Sequence, residues 1–542
     1  MGWCCNKCSG DATSIESLLR EGNHRRKLWR IGMSLDSSGD WNAERKVNRV
    51  TQYDPGKLFC EMSSNMSERS PKLEEIWRRF DGADVENLAL RSKEADLELF
   101  NLGVTFTVYS DKDVIDRVLP FDIIPRILTA GEWDILDRGV IQRVAAINAF
   151  LHDIYNDQRV IKDGIVPADL VLGNSNFRKQ MMGFTPAAGV YTHIAGTDII
   201  RDDNGDFLVL EDNVRSPSGV SYVVENRHLM ERSFPDLMAD LKLRKVSDYG
   251  RNLFEKLAET APDGCRDKDD PQVVVMSPGM FNSAYFEHIF LAREMGVPVV
   301  EGSDLFCDDD KIYMKTIAGP RRVDVIYRRI DDEFLDPESF RPDSVLGVSG
   351  LIKSMLAGNV TIANAIGTGV ADDKAVYAYM PRIIKYFLGE EPILGNVETN
   401  ICREPDALQY TLDNLADLVV KPVGESGGYG ITIGPKASKE QLEEARAALL
   451  KKPENFISQP MISLSVCPTL GENQLVPRHV DLRPFAVTGR GTWVLPGGLT
   501  RVALKEGSII VNSSQGGGTK DTWVLAEDTG SGITPTAAKG DL

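Results

Sequence analysis

The sequence predicts a mixed α/β (α+β) chain, in which a parallel strand–helix–strand unit and antiparallel hairpins sit side by side. Three observations carry this. QVVVMS, the amphipathic AYFEHIFLAREMG and VPVVEG follow one another from Gln272 to Gly302, the pattern of a βαβ unit. TDIIRDDNGDFLVLEDN sets two apolar runs around Asn204-Gly205, a strong hairpin signal. GEWDILDRGVIQRVAAINAFLHDIYNDQRVI, starting at Gly131, puts Ile135, Val140, Val144, Ile147, Leu151 and Ile154 on one helical stripe. His152 lies in that helix and is read as structural.

The chain has 542 residues, 42% of them hydrophobic, which is enough for two or three packed domains. A formal charge of -18 argues against a general nucleic-acid binder or a binder of anionic membranes, because both need basic surface facing phosphate. There is no apolar run of about 18 residues and no signal-peptide pattern at the N-terminus, so no membrane span is expected and the cytoplasm is the expected location. Cys4, Cys5 and Cys8 cluster, and the remaining five of the eight cysteines are scattered singly, so no disulfide framework is expected. The CxxC of Cys5 and Cys8 has no second half to complete a zinc site.

Along the chain, residues 1–66 lack sustained periodicity and are expected to be a disordered leader. Residues 67–265 form an N-terminal region holding the long helix and the acidic hairpin. APDGCRDKDDP at 261–271 reads as a boundary. The βαβ unit opens a region at 270–370, which continues through the strand VDVIYRR and the turn AGNVTIANAIGTG. A helical segment from Asp372 to Leu388 opens the next region, 371–460, where LVVKPVGESGGYGITIG supplies two strands around a glycine loop and a helix spans 438–451. Short strands occupy 461–525, and the small, polar tail 526–542 is expected to be disordered.

The acidic hairpin carries the first chemical signal. If Asn204-Gly205 is a two-residue turn, Asp203 faces Asp206, and counting outward places Asp198 opposite Glu211. Asn213 then shares their face and Asp212 points the other way. Like charges directly opposed are destabilising, and two carboxylates with an amide oxygen suit a hard cation such as Mg2+. The alternative reading is an exposed hairpin with solvated acids.

The second signal is a set of glycine loops and basic residues. Lys421 ends an apolar strand, and Gly424, Gly427, Gly428 and Gly430 follow it, a loop able to bring backbone N–H groups close to phosphate oxygens. It is not a P-loop, since no Lys-Ser or Lys-Thr follows. NSSQGGGTKD at 512–521, which contains Ser514 and Gly517, repeats the theme. Arg483 in DLRPF and Arg501 in GGLTRVAL suit bidentate recognition of carboxylate or phosphoryl groups, or structural ion pairs. Arg328 and Arg329 in VIYRRIDD could face a carboxylate substrate or pair locally with Asp331 and Asp332.

Together, LEDNVRSPSGVSYVVENR, SPGMFNSAYFEH, RVDVIYRRIDD, NAIGTGVADDK, ESGGYG, RHVDLRPF and VNSSQGGGTKDTW closely resemble the circularly permuted ATP-grasp family, related to glutathionylspermidine synthase-like carboxylate–amine ligases. The resemblance covers roughly residues 70–525. It departs from ordinary ATP-grasp order in that the acid and the E-x-N motif come before the lysines and the glycine loop.

The resemblance implies an ATP-grasp fold, permuted, with a pre-ATP-grasp-like domain at 270–370. It implies ATP and two Mg2+ ions as cofactors. Asp198, Glu211 and Asn213 would hold metal. Lys374, Lys421 and the loop with Gly427, Gly428 and Gly430 would hold ATP, and Gln459 would read adenine. Arg215 and Arg501 would stabilise the transferred phosphoryl group, while Arg328, Arg483, Ser514 and Gly517 are candidates to face substrate. The implied activity joins a small-molecule or peptide carboxylate to an amine through an acyl phosphate. A phosphotransferase on the same fold and a non-catalytic nucleotide-binding scaffold are the competing readings. Neither the substrates nor the oligomeric state is legible.

Overall fold

The computed structural model describes residues 53–64, 70–81, 84–109, 114–423, 430–472, 474–508, 511 and 517–527. All lie in one compact unit, Asn48–Leu542. The N-terminal cysteine cluster, Gly427, Gly428 and Ser514 fall outside the described residues.

Among the described residues the largest sheet has ten strands. Its central order runs Gly395–Asn396, Phe207–Asn213, Ile194–Arg201, Leu475–Arg483, Leu499–Val502, Gly518–Val524 and Phe121–Leu128. The acidic hairpin is therefore internal to the sheet, and its Ile194–Arg201 strand pairs with strands from the far end of the chain, through Leu482 opposite Ile199 and Phe485 opposite Gly196. The permuted order of motifs in the sequence is thus closed up by sheet pairing.

The hairpin reaches its expected register by an unexpected route. Asp202, not a two-residue turn, organises the loop: its Oδ1 accepts the N–H groups of Asn204 (3.0 Å) and Asp206 (2.8 Å). Arg201 therefore opposes Phe207, one position out of the predicted count. A β-bulge between Asp198 and Ile199 then corrects the offset, so that Asp198 faces Glu211, Thr197 faces Asp212 and Gly196 faces Asn213.

The long helix spans Ala130–Tyr155 and starts with a capping box formed by Thr129 and Glu132. Its buried stripe uses Trp133, Leu136, Val140, Val144, Ile147, Leu151 and Ile154. Ile135, expected on this stripe, is exposed at 43%, because Leu136 takes the inward position in that turn. His152 is exposed and stands edge-on to Tyr191. The helix packs on a second one, Lys374–Leu388, whose N-cap is Asp373.

The βαβ unit is present as a four-stranded parallel sheet ordered Thr361–Ala363, Val325–Arg328, Val273–Met276 and Val299–Val300. A separate antiparallel sheet joins Asn400–Ile401, Phe456–Pro460, Leu418–Pro422 and Thr432–Ile433. Its own small core contains Cys402, Leu412, Leu415, Val420 and Leu449.

The fold begins earlier than the expected leader boundary at residue 66. Cys60, Glu61 and Met62 are buried, and Glu61 forms an ion pair of 2.7 Å with Arg126. Partners distant in the chain hold this segment, Arg126 and Ser465 on Glu61 and an isolated bridge from Cys60 to Val466, which explains why it shows no periodicity. At the other end, Ala526 donates its N–H to the Lys242 carbonyl at 2.9 Å, so ordered pairing extends past residue 525. No helix among the described residues is long and apolar enough to cross a membrane.

Candidate active site

Strand alternation sends Asp198 and Glu211 to one face and Asp212 to the other. On the far face Asp212 is buried and held bidentately by Arg143, at 2.7 and 2.8 Å, so it is a structural anion. On the near face, Arg483 grips both oxygens of Asp198, and Arg501 reaches Asp198 Oδ2 at 2.6 Å while also pairing with Asp481. Burial would raise the Asp198 carboxyl, but Arg483 and Arg501 outweigh it and hold it well below the usual carboxylate range.

Glu211 differs. Burial, and then the neighbouring Asp198, push its carboxyl above the ordinary value. Lys374 Nζ stands 3.7 Å from Glu211 Oε2, and Arg483 Nη2 stands 4.0 Å from Oε1, both too far for strong hydrogen bonds. Asn213 leaves its amide oxygen available while Nδ2 donates to the Gly196 carbonyl at 3.3 Å.

This donor set fits a hard divalent cation. A carboxylate destabilised by a like charge, with an amide oxygen on the same strand, gains from added positive charge. Among the described residues no group of three or more His, Cys, Asp or Glu side chains could hold a metal alone. Asn213 and oxygens from a ligand such as a phosphate would have to complete the shell, which is how Mg2+ is usually held.

The lysines arrive from other elements. Lys374 opens its helix directly after the Asp373 cap. Lys421 comes from the separate four-stranded antiparallel sheet and donates to Gln459 Oε1 at 2.6 Å, while Gln459 Nε2 donates to Thr399 Oγ1 at 2.8 Å. Burial lowers the Lys421 ammonium to about 8, with Glu211 opposing and Lys374 adding to the shift. The electrostatic coupling of Lys421 to both Glu211 and Lys374 places these three charges in one neighbourhood. Gly430 has φ +71°, a left-handed conformation that favours glycine, and a Cβ there would lie 3.1 Å from Pro422 Cγ.

The remaining candidates separate. Arg215 is partly exposed, 3.6 Å from Asp331 and 3.4 Å from Asp372. Arg501 and Arg483 lie inside it, bound to Asp198. Arg328 does not face it: the side chain is fully buried and donates to the carbonyls of Asn364 (2.9 Å), Ile330 (2.7 Å) and Ala365 (3.2 Å), with Asp332 at 2.7 Å. Of the local pairing expected for RRIDD, only Arg328–Asp332 forms. Arg329 turns to Glu287 at 3.0 Å and to the Pro217 carbonyl at 2.7 Å. Gly517 is buried at the head of the Gly518–Val524 strand.

Sequence reading missed Asp481, Asp372 and Asn364. Asp481 was detectable, since strand parity puts it on the same face as Arg483 and its cross-strand partner is Arg501. Asp372 accepts the N–H of Arg215 at 3.2 Å, and burial raises its carboxyl to about 6. Asn364 gives no sequence signal.

Comparison with known proteins places the chain in a family. A family model described as circularly permuted ATP-grasp type 2 matches residues 125–503. An uncharacterized protein of Synechocystis sp. is 49% identical over 482 residues, covering 89% of this chain and 100% of that one. An uncharacterized protein of Mycobacterium tuberculosis is 52% identical over 452 residues, covering 83% and 81%. A Frankia alni protein named "Putative glutamate--cysteine ligase 2-3" is 42% identical over 455 residues, but this chain (84% covered) spans only 52% of its length. The solved structure of a glutathione synthetase-like effector from Globodera pallida aligns over 82% of this chain and 98% of its own, with TM-score 0.51 at 10% identity, a likeness of fold alone. By the extent of the family match and the coverage of these relatives, the chain belongs to the circularly permuted ATP-grasp type 2 family.

Proposed function

We propose that this chain is an ATP-dependent carboxylate–amine ligase that works through an acyl phosphate. The observation that carries the reading is the gathering of Asp198, Glu211, Lys374 and Lys421 into one charged cluster from three separate parts of the chain. Family membership supports ATP and Mg2+ as the cofactors, and the Frankia relative's printed name supports ligation of an amino-acid carboxylate.

Mg2+ would neutralise charge on the nucleotide phosphates. Glu211 and Asn213 would hold it, with Asp198 joining as Arg483 gives up its grip. Lys374 and Lys421 would hold phosphate oxygens, and Gln459, already the partner of Lys421, would orient that lysine or read the base. A substrate carboxylate oxygen would attack the γ-phosphorus, breaking its bond to the β-bridging oxygen and releasing ADP. The amine nitrogen would then attack the acyl carbon, lose a proton and expel phosphate. Arg215, with Arg483 and Arg501, would offset charge on the transferred group, the protein acting by positioning and electrostatics.

The test is ADP formation from Mg-ATP across a panel of carboxylate and amine pairs, with hydroxylamine as a trap. Ligation requires ADP release that depends on both partners, and a hydroxamate when hydroxylamine replaces the amine. Phosphate transfer to a stable acceptor with no hydroxamate would replace this reading with a phosphotransferase.

A further inference from the structure

We infer that Asn364 is a positioning residue that locks the metal-binding hairpin, making Mg2+-dependent nucleotide binding depend on a side chain outside the ATP-grasp sheet. The inference rests on the Mg-ATP reading of the site above.

Asn364 follows the Thr361–Ala363 strand of the small parallel sheet and is almost wholly buried. Its Oδ1 accepts the backbone N–H groups of His193 and Ile194, each at 2.7 Å. Its Nδ2 donates to the carbonyls of Ile194 (2.7 Å), Val214 (2.8 Å) and Arg215 (3.3 Å). One side chain therefore ties the start of the Asp198 strand to the end of the Glu211 strand.

The position matters because it is the open end of the hairpin. Pairing between the two strands stops at Gly196 opposite Asn213, so the backbones of residues 194 and 214 have no ladder bond between them. The metal donors occupy the last few pairs before that end. The Ile194 strand is laddered on its other side to Phe485–Val487, and Asp372 takes the Val214 and Arg215 N–H groups, so what Asn364 adds is the direct tie between the two hairpin strands at this end, and with it the spacing of Asp198, Glu211 and Asn213. Arg328 braces the bridge in turn, holding the Asn364 carbonyl at 2.9 Å and the Ala365 carbonyl at 3.2 Å. Arg328, which the sequence offered either to a substrate or to a local ion pair, thus supports the residue that ties the hairpin.

Asn is specific here because the site needs acceptor and donor at once. Asn364→Asp keeps the shape but turns an oxygen toward three carbonyls, and Asn364→Ser is too short to span both strands. Outer-shell changes of this kind typically cost about 10- to 100-fold in metal affinity.

The experiment is calorimetric titration of the full chain with AMP-PNP, once with Mg2+ and once with EDTA. Wild type should bind more tightly with Mg2+. Folded Asn364→Asp and Asn364→Ser should lose about tenfold or more of that gain while keeping their EDTA affinity within about twofold, a split that general loss of structure would not produce. A full Mg2+ gain in the variants overturns the inference about Asn364 alone. No Mg2+ gain in wild type overturns the reading of the site on which it rests. If neither variant folds, hydrogen exchange on wild type decides. Mg2+ added to the AMP-PNP complex should slow exchange of the His193 and Ile194 amides, and unchanged exchange there overturns the proposal.

Discussion

Two strand ends in this chain look alike as text and behave oppositely in the fold. EDNVR ends the Phe207–Asn213 strand and RRIDD ends the Val325–Arg328 strand, each a knot of charge after an apolar run. At RRIDD the charges are consumed: Arg328 meets three carbonyls and Asp332, and Arg329 meets Glu287, all buried. At EDNVR Asp212 is consumed by Arg143 and Arg215 meets Asp331 and Asp372 at 3.6 and 3.4 Å, while Glu211 stays half-buried with its nearest cations at 3.7 and 4.0 Å. The difference teaches that crowding of charge is not what marks a site. What marks it is charge the fold leaves in electrostatic debt, as the raised Glu211 carboxyl shows.

Changes at the two ends should therefore fail in different ways. Arg328→Met leaves buried acceptors and Asp332 short of a partner, and should cost about 3–5 kcal/mol of stability in chemical denaturation. A loss under 1 kcal/mol would break the comparison, because Arg328 would then not be structural. Glu211→Ala should do the reverse, lowering Mg2+-dependent ADP formation by about 10²- to 10³-fold with little change in the denaturation midpoint. Unchanged turnover in that variant would remove Glu211 from the metal site.

A pH titration sharpens the picture at Lys421. Its ammonium, lowered to about 8 by burial, is charged below that pH and neutral above it. AMP-PNP affinity should therefore hold from pH 7 to about 8 and weaken above it, and Lys421→Gln should flatten the profile. Retention of the same pH dependence in Lys421→Gln would assign the titration elsewhere. The smallest effect is expected for Asp331→Asn. Its exposed pair with Arg215 spans 3.6 Å, and its loss should change stability by about 0–1 kcal/mol. A larger loss would mean that the outer member of RRIDD is also structural.

Much of the architecture was legible because it rests on local pattern. The βαβ run, the long helix and the Asp373-capped helix follow from periodicity and capping, which short windows contain. The pairing of Asp198 with Glu211 was also anticipated, although through two offsetting errors. The loop held by Asp202 is longer than a two-residue turn, and the bulge beside Asp198 restores the count. The extra residue is Leu210, on the strand whose other neighbour in the sheet is Gly395–Asn396, and nothing in the hairpin's own pattern marks it. The early start of the fold was missed for a related reason: Glu61 is held by Arg126 and Ser465, partners far away in the chain. Asn364 is the extreme case, with five hydrogen bonds to backbone groups that any sequence would provide.

The most direct test of the central claim is a crystal structure of the chain with AMP-PNP and Mn2+ in place of Mg2+, read by anomalous scattering. The account predicts manganese peaks bridging the nucleotide phosphates and bound at about 2.1 Å by Glu211 and Asn213, with Arg483 withdrawn from Asp198. Nucleotide bound with its manganese away from Glu211, or with the Asp198–Arg483 pair intact and no metal between the strands, would contradict it.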